Sequence, residues 1–559
     1  MATQSMEFPV RPYVPPTAFL ALGCCVASAF MLDAGWHRRA EAGIVPMGVC
    51  GALLCCALGF MACAWLARRF SERFFKRDGR AVRRALAACG IGVLVGSCSG
   101  IAWLLDWQTR AHAFHAPVSS YELHVKGDPS VSDVGASSSV EVRESGTGAY
   151  VATVRMTAAD GYEAGSVLRA VGRVKVFDDS DWARSRFMKG EAAGVQIVRV
   201  LEVSADNAGI IGSVRHCMLE AIDPDASEAR ALLAGTICGR TTELGGSMAQ
   251  DAFSRCGLTH LIAVSGSHLA LIALLLDVGL RRTHLAGTMR QAAILLVMVL
   301  YVIFTGCTAS AVRSVLMVGA SMGAGMVQRR AHPLSGLSLT VFVLVALNPG
   351  IVYDLGFQLS ALSVLFLLVF GRYVAYVLSL PRIPSIVAEP LALTLVAQWA
   401  TLPLTIPIFG EMSFIAPVAN LIVGPLMSAL LVVGLPLAPL ALVPGLEVLL
   451  VIPDVLAQLS LFAAQTLGRV PYASLGIEAG GALAVVVYGL AVLLYLTWWQ
   501  CSRRMLVGLL AAVTLIGGQH VVRWAFFAPA SVTVLDVGQA DAILIREGGR
   551  TVLVDAGVD

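Results

Sequence analysis

Two histidines and two serines stand at the mouth of an apolar run in Gly257-Leu258-Thr259-His260-Leu261-Ile262-Ala263-Val264-Ser265-Gly266-Ser267-His268-Leu269. A polar group inside hydrocarbon costs several kcal/mol unless it is partnered, so such groups face a bundle interior or a water-filled path. His260 and His268 lie about 80° apart around an ideal helix and need not share a face, whereas Ser265 and His268, three residues apart, do. For each histidine two readings stand: a satisfied hydrogen bond between helices, or a wall of a polar path. Gly266 permits close packing, or a helix break of the kind that builds midplane sites. Further along, Arg313 sits just inside an apolar run after Thr305-Gly306. An arginine there must find a partner or a phosphate, and Asp354 and Gln358 are the candidate partners. Gln358, Ser360, Gln398, Thr401 and Asn420 add neutral donors on separate apolar runs. Many neutral donors with few cations would suit a polyanion in transit, because conduction needs binding weak enough to release.

The elements that hold these groups are set by composition. Of the 559 residues, 57% are hydrophobic and 14% charged, and the mean hydropathy is +0.76. That is far too apolar for a soluble protein and defines a polytopic α-helical membrane protein, whose apolar runs count out to roughly a dozen spans. A net charge of +3 carries no message about nucleic acid or lipid. Of 13 cysteines, eight fall in or beside the first three apolar runs as small apolar packers, and no disulfide framework follows.

Residues 1–107 hold three spans, near 17–34, 43–66 and 85–105. Arg68, Arg69, Arg73, Lys76, Arg77, Arg80, Arg83 and Arg84 lie between the second and third, which places that loop in the cytoplasm and the next segment outside. Residues 108–225 alternate in strand fashion (Tyr121, Leu123, Val125; Val140, Val142; Val151, Val154; Val171, Val174, Val176), as in a small antiparallel barrel or sandwich. A barrel of the OB (oligonucleotide/oligosaccharide-binding) type would bind a single strand through a basic groove and stacking aromatics. Here acids offset the bases, and Trp182, Arg184, Arg186 and Lys189 form the best local patch, so a purely structural outer domain and a DNA-contacting one are both open. Residues 226–530 carry the remaining spans, opening on an amphipathic helix through Ala231, Leu232, Leu233 and Ile237. Spans at 391–409, 414–434 and 435–452, followed by one at 482–499 with Arg503 and Arg504 behind it, fix the parity. The run 453–468, with Asp454, Gln458, Ser460 and Gln465, must then lie in the outer interface, and a last span falls at 505–520. Residues 531–559 read as three strands, the beginning of a domain without its remainder.

These stretches together resemble the ComEC family of bacterial competence proteins, inner-membrane channels that take up transforming DNA as a single strand. Gly257 to His268 is close to the family's G-L-x-H-L-[LI]-A-[IV]-S-G-x-H, with Ser267 at a position more often apolar. Thr305-Gly306 with Ala309, Ser310, Ala311 and Arg313 adds to the likeness. So do Gly356-Phe357-Gln358-Leu359-Ser360, Gln398-Trp399-Ala400-Thr401-Leu402-Pro403, and Ala419-Asn420-Leu421 with Pro425. Leu535-Asp536-Val537-Gly538-Gln539-Ala540-Asp541-Ala542 resembles the entry to the family's metallo-β-lactamase-like domain, with Ala540 where Gly is usual. The segment 177–200 resembles, more weakly, its OB-like domain. The resemblance implies a channel for single-stranded DNA, served by a cytoplasmic helicase-like ATPase and an outer DNA receptor. His260, Ser265, His268, Arg313, Gln358, Ser360, Gln398 and Asn420 are its path candidates, and Trp182, Arg184, Arg186 and Lys189 its outer-domain candidates. No histidine follows His520, so the His-rich two-metal motif of the family's nuclease-type domain is absent and no enzymatic activity, cofactor or metal is expected. No Gly-x-x-x-x-Gly-Lys-[Ser/Thr] loop occurs, so no ATP-driven motor is expected either. Three rival readings are a secondary transporter of a small solute, a membrane scaffold whose barrel only holds partners, and a degenerate copy.

Overall fold

A computed structural model describes residues 7–500 apart from 40–43, 75–78, 113–117, 128, 133–134, 144–149, 160, 163–164, 176, 205–208, 284–285, 327–331, 381–383, 471 and 477–481. Beyond 500 it describes Gln519 and the segments 531–536, 541–547 and 550–554. The expected span at 505–520 lies almost wholly outside the described residues, as do Lys76, Arg77, Arg503 and Arg504.

Three helices open the chain: α1 (Pro16–His37), α2 (Met47–Phe74) and α3 (Gly79–His112). α1 and α3 pack backbone to backbone because Gly23, Gly92 and Gly96 leave no side chain between them. A Cβ on Gly92 would collide with the Leu20 carbonyl, and one on Gly96 with that of Cys24. Small residues of this kind let membrane helices approach where no hydrophobic drive exists.

The chain then forms β1 (Val118–Val125), β2 (Ser130–Ser132), β3 (Gly135–Arg143), β4 (Tyr150–Ala158), β5 (Val167–Lys175), helix α4 (Asp181–Met188) and β6 (Gly194–Ser204). The strand order β1-β5-β6-β4-β3 closes through a β1–β3 pairing, a five-stranded barrel extended by β2. Every pairing is antiparallel except β4 with β6. Alternation places Leu123, Val125, Val140, Val142, Val154, Met156 and Leu168 inside. The register on β5 differs from the sequence expectation: Leu168 and Ala170 face inward, whereas Val171 is only half-buried.

α4 fastens the barrel to the first three helices. Its Phe187 is fully buried, with ring centroids 5.3 Å from Trp36, 5.3 Å from Trp103 and 4.7 Å from Trp107. The Trp107 indole N–H donates to the Glu191 carbonyl at 2.9 Å.

The helical layer continues with α5 (Gly209–Ile222), α6 (Glu228–Cys238), α7 (Met248–Arg255), α8 (Gly266–Leu280), α9 (Gly287–Phe304), α10 (Ala309–Met326), α11 (Pro333–Leu347), α12 (Leu355–Ser379) and α13 (Ser385–Phe409). After strand β7 (Glu411–Ser413) come α14 (Ala416–Leu440), α15 (Val451–Gly468), strand β8 (Ser474–Gly476) and α16 (Ala482–Thr497). Strands β9 (Ser531–Asp536), β10 (Asp541–Glu547) and β11 (Arg550–Val554) form a separate antiparallel sheet in the order β11-β10-β9.

Among the described residues, eight helical segments are long and apolar enough to cross a membrane, and α8, α11 and α16 are shorter apolar helices. Eight is fewer than the dozen expected, of which the span at 505–520 lies almost wholly outside the described residues. α6 is not amphipathic: it is buried nearly all round, in a core shared with α7, α14 and α15.

The stretch 414–452 departs most from expectation. Instead of two spans it holds one helix, α14, a turn at 441–446, and a helical segment Glu447–Gly468 long and apolar enough to cross. β7, just before α14, pairs with β8, just after α15, so the end of α15 returns to the level at which α14 begins. At 1.5 Å per residue α14 is about 37 Å long, a full hydrocarbon thickness, and α15 retraces it. Three of the four polar groups that pointed to an interfacial helix have contacts within the protein. Asp454 pairs with Arg230 of α6 at 3.7 Å, Gln458 donates to Asp454 at 3.4 Å, and the buried Ser460 donates to the Leu456 carbonyl. The candidate span moves from 435–452 to Glu447–Gly468, and the parity of candidate spans is unchanged.

Candidate functional site

The opening motif is not one helix. Thr259–Leu261 is a single 3-10 turn, and α8 begins only at Gly266. His260 is exposed on that turn. Ser265 caps α8, and its backbone N–H donates to His268 Nδ1 at 3.3 Å. A ring nitrogen that accepts is unprotonated, so His268 is neutral with its proton on Nε2. Ser265 and Ser267 hydroxyls are 2.7 Å apart. The expected Ser265–His268 pairing thus exists as a helix cap rather than as two side chains on a helix face, and His260 lies outside that cap, on the preceding turn. His268 is buried, 3% exposed.

α10 brings Arg313 against this cap. A Cβ added to Gly266 would lie 2.7 Å from Ser314 Oγ, 3.1 Å from Arg313 Nη2 and 3.9 Å from Ser310 Oγ. Ser310 in turn is 3.2 Å from Ser360 on α12. The first turn of α8, Arg313 and three hydroxyls from α10 and α12 therefore converge on one place. Neither partner expected for Arg313 reaches it. Asp354 caps α12, accepting from the Phe357 N–H at 2.8 Å, and Gln358 donates to the Val352 carbonyl at 2.7 Å. Arg313, 4% exposed, has Met317 Sδ at 3.7 Å as its acceptor, and its Nε has none among the described residues.

The remaining path candidates are satisfied elsewhere. Gln398 on α13 donates to the Ser413 carbonyl at 2.5 Å, and Ser413 donates to the Arg255 carbonyl at 2.7 Å, which locks β7 to the end of α7. Asn420 on α14 donates to Thr394 on α13 at 2.7 Å, and Thr401 bonds carbonyls of its own helix. Ser314, Thr394 and Ser413 were missed in the sequence. Only Ser310, which shares a helix face with Ser314 four residues on and with Arg313 three residues on, left a readable signal.

Beside the barrel, the four candidates fall on α4 and the turn behind it. Arg184 pairs with Asp33 of α1, and Arg186 lies 4.0 Å from Glu191 and 5.5 Å over the Trp182 ring. Trp182 and Lys189 stay exposed. Glu191, 2% exposed, has its carboxyl pushed up by burial, against the opposing pull of Arg186 and Arg155. The patch doubles as the barrel's attachment, with Trp182 and Lys189 as its open edge.

Fold and site together define a polytopic helical membrane protein bearing a small closed barrel, with a buried cationic notch between α8, α10 and α12. Residues 239–502 match the family model for Competence protein, an interval that contains every path candidate. Over 174 residues, 31% of this chain, the sequence is 27% identical to ComE operon protein 3 of Bacillus subtilis (strain 168), and the match spans 22% of that protein. No solved structure matches. Both matches support a ComEC-like competence protein.

Proposed function

We propose that the chain is an inner-membrane channel that passes one strand of transforming DNA inward during natural competence. The observation that carries this reading is the coincidence of the competence-family match with the polar notch of α8, α10 and α12, where hydroxyls and one buried cation gather among apolar helices. Neutral donors with a single strong cation are what a moving polyanion requires, since tight pairing at every step would arrest it. The barrel, read as OB-like and placed outside the membrane, would receive the strand along Trp182 and Lys189. A helicase-like ATPase on the cytoplasmic side and an outer DNA receptor would supply pull and delivery. The sheet 531–554 is read as the entry to a metallo-β-lactamase-like domain, and no hydrolysis is assigned to the residues present. In a transformable host deleted for its own copy, expression of this chain should restore entry of labelled DNA into the cytoplasm. Failure of a well-expressed, membrane-inserted chain to do so would remove the reading. Neither the solute-transporter nor the degenerate-copy alternative is favoured by any feature of the notch.

A further inference from the structure

Resting on the channel reading and sharpening it, we infer that the notch is a built phosphate site: Arg313 and the first turn of α8 together hold one backbone phosphodiester of the passing strand. The first N–H groups of a helix have no acceptor within it, and the helix dipole makes that end electropositive. α8 is 15 residues long, enough for the dipole to count. Arg313 Nη2 lies beside the first residue of this helix, so two positive groups face each other inside the protein. No carboxylate stands between them: among the described residues Arg313 makes no salt bridge, and its one hydrogen bond is to a thioether. A buried guanidinium with an unmatched Nε is costly. The arrangement becomes favourable when an oxyanion bridges the guanidinium and the helix N–H groups, with Ser310, Ser314 and Ser360 as hydroxyl donors around it.

Gly266 is what leaves the room. A Cβ there would come within 2.7 Å of Ser314 Oγ and 3.1 Å of Arg313 Nη2, between the groups that would donate to the oxyanion. Helix position N1 itself tolerates alanine, so the small residue is demanded by the neighbours and not by the backbone.

The same chemistry could be offered by the DNA backbone or by a phospholipid headgroup, and the test separates them. The full chain, solubilised in a non-ionic detergent without phospholipid, is titrated at low salt with an abasic deoxyribose-phosphate oligomer, which carries phosphodiesters and no bases. A parallel titration uses micelles doped with phosphatidylglycerol. Wild type should bind the abasic oligomer, Arg313→Gln and Gly266→Ala should bind it about tenfold more weakly, the loss of one charge-assisted contact, and Arg313→Lys should fall between. A folded Arg313→Gln chain that binds the oligomer as wild type does overturns the site. So does binding of phosphatidylglycerol alone with the same dependence on Arg313. If Arg313→Gln fails to fold, Gly266→Ala and Arg313→Lys decide the matter by the same readout. Wild-type DNA entry in cells carrying Arg313→Gln, where deletion of the gene abolishes entry, would remove the phosphate site and leave the channel. Unchanged entry on deletion would remove the channel itself.

Discussion

At the scale of single residues, the polar side chains within the helices divide by the kind of acceptor they find. Gln358 and Gln398 bond backbone carbonyls freed at turns, Val352 and Ser413, whereas Asn420 bonds a side chain, Thr394, across two helices. Such interhelical bonds contribute about 0.6 kcal/mol on average in membrane proteins. Asn420→Ala should therefore lower stability by about that amount and leave DNA entry near wild type, as read by unfolding in mixed micelles beside a transformation assay. Outside the membrane, Glu141 is a different case. Burial pushes its carboxyl up, but Lys126 at 2.5 Å and Arg143 at 3.4 Å outweigh that and hold it below the ordinary carboxylate range. A depressed pKa in the fold contributes stability that is present at neutral pH and is lost as pH falls through the ordinary carboxylate range to the folded value. Thermal melts from pH 7 to pH 3 should show that loss, about 0.5 kcal/mol for so exposed a network, and Glu141→Gln should flatten that part of the profile. The notch residues were legible in the sequence as types: a lone arginine and scattered hydroxyls in apolar runs. Their sorting was not, because the partners are backbone carbonyls at turns and a thioether four residues away, which side-chain spacing does not encode.

At the scale of elements, α4 and the α14–α15 hairpin carry the main lessons. α4 looked like a basic patch with two aromatics, and both descriptions hold, yet Phe187 and Arg184 spend themselves on α1 and α3. A phenylalanine wedged among three tryptophans contributes as a core residue does, so Phe187→Ala should cost about 3–5 kcal/mol of barrel attachment. Limited proteolysis that releases the barrel from the helices should accelerate in that variant. Trp182→Ala, at an exposed site, should leave proteolysis unchanged. In the hairpin, the pattern of Asp454, Gln458 and Ser460 mimicked an interfacial face because the partner that neutralises it, Arg230, lies more than two hundred residues away on α6. The strand pairing that fixes the level of α15 involves three residues at each end, too short for any periodic signal. With all 13 native cysteines replaced, single cysteines at Val443 and Tyr472 should be labelled from opposite sides of the membrane. Labelling from one side would return α15 to the interface.

At the scale of the whole molecule, composition alone established a polytopic membrane protein, and strand alternation established a small β domain. Closure of that domain through β1 and β3 was not readable, since it depends on which edges meet. The segment ahead of α1 meets the end of α16: Tyr495 of α16 and Trp498 just behind it donate to the Pro12 and Pro9 carbonyls. The barrel stands on the first three helices, and the competence-type region carries the notch. The central claim is that a DNA strand runs through that notch. A photo-reactive amino acid placed at Ser360, and separately at the outward-facing Leu296 on α9, would be illuminated in competent cells during uptake of radiolabelled DNA. Passage through the notch predicts DNA cross-linked to the Ser360 variant and none to the Leu296 variant. Uptake that proceeds with no capture at Ser360, or with equal capture at both positions, would contradict it.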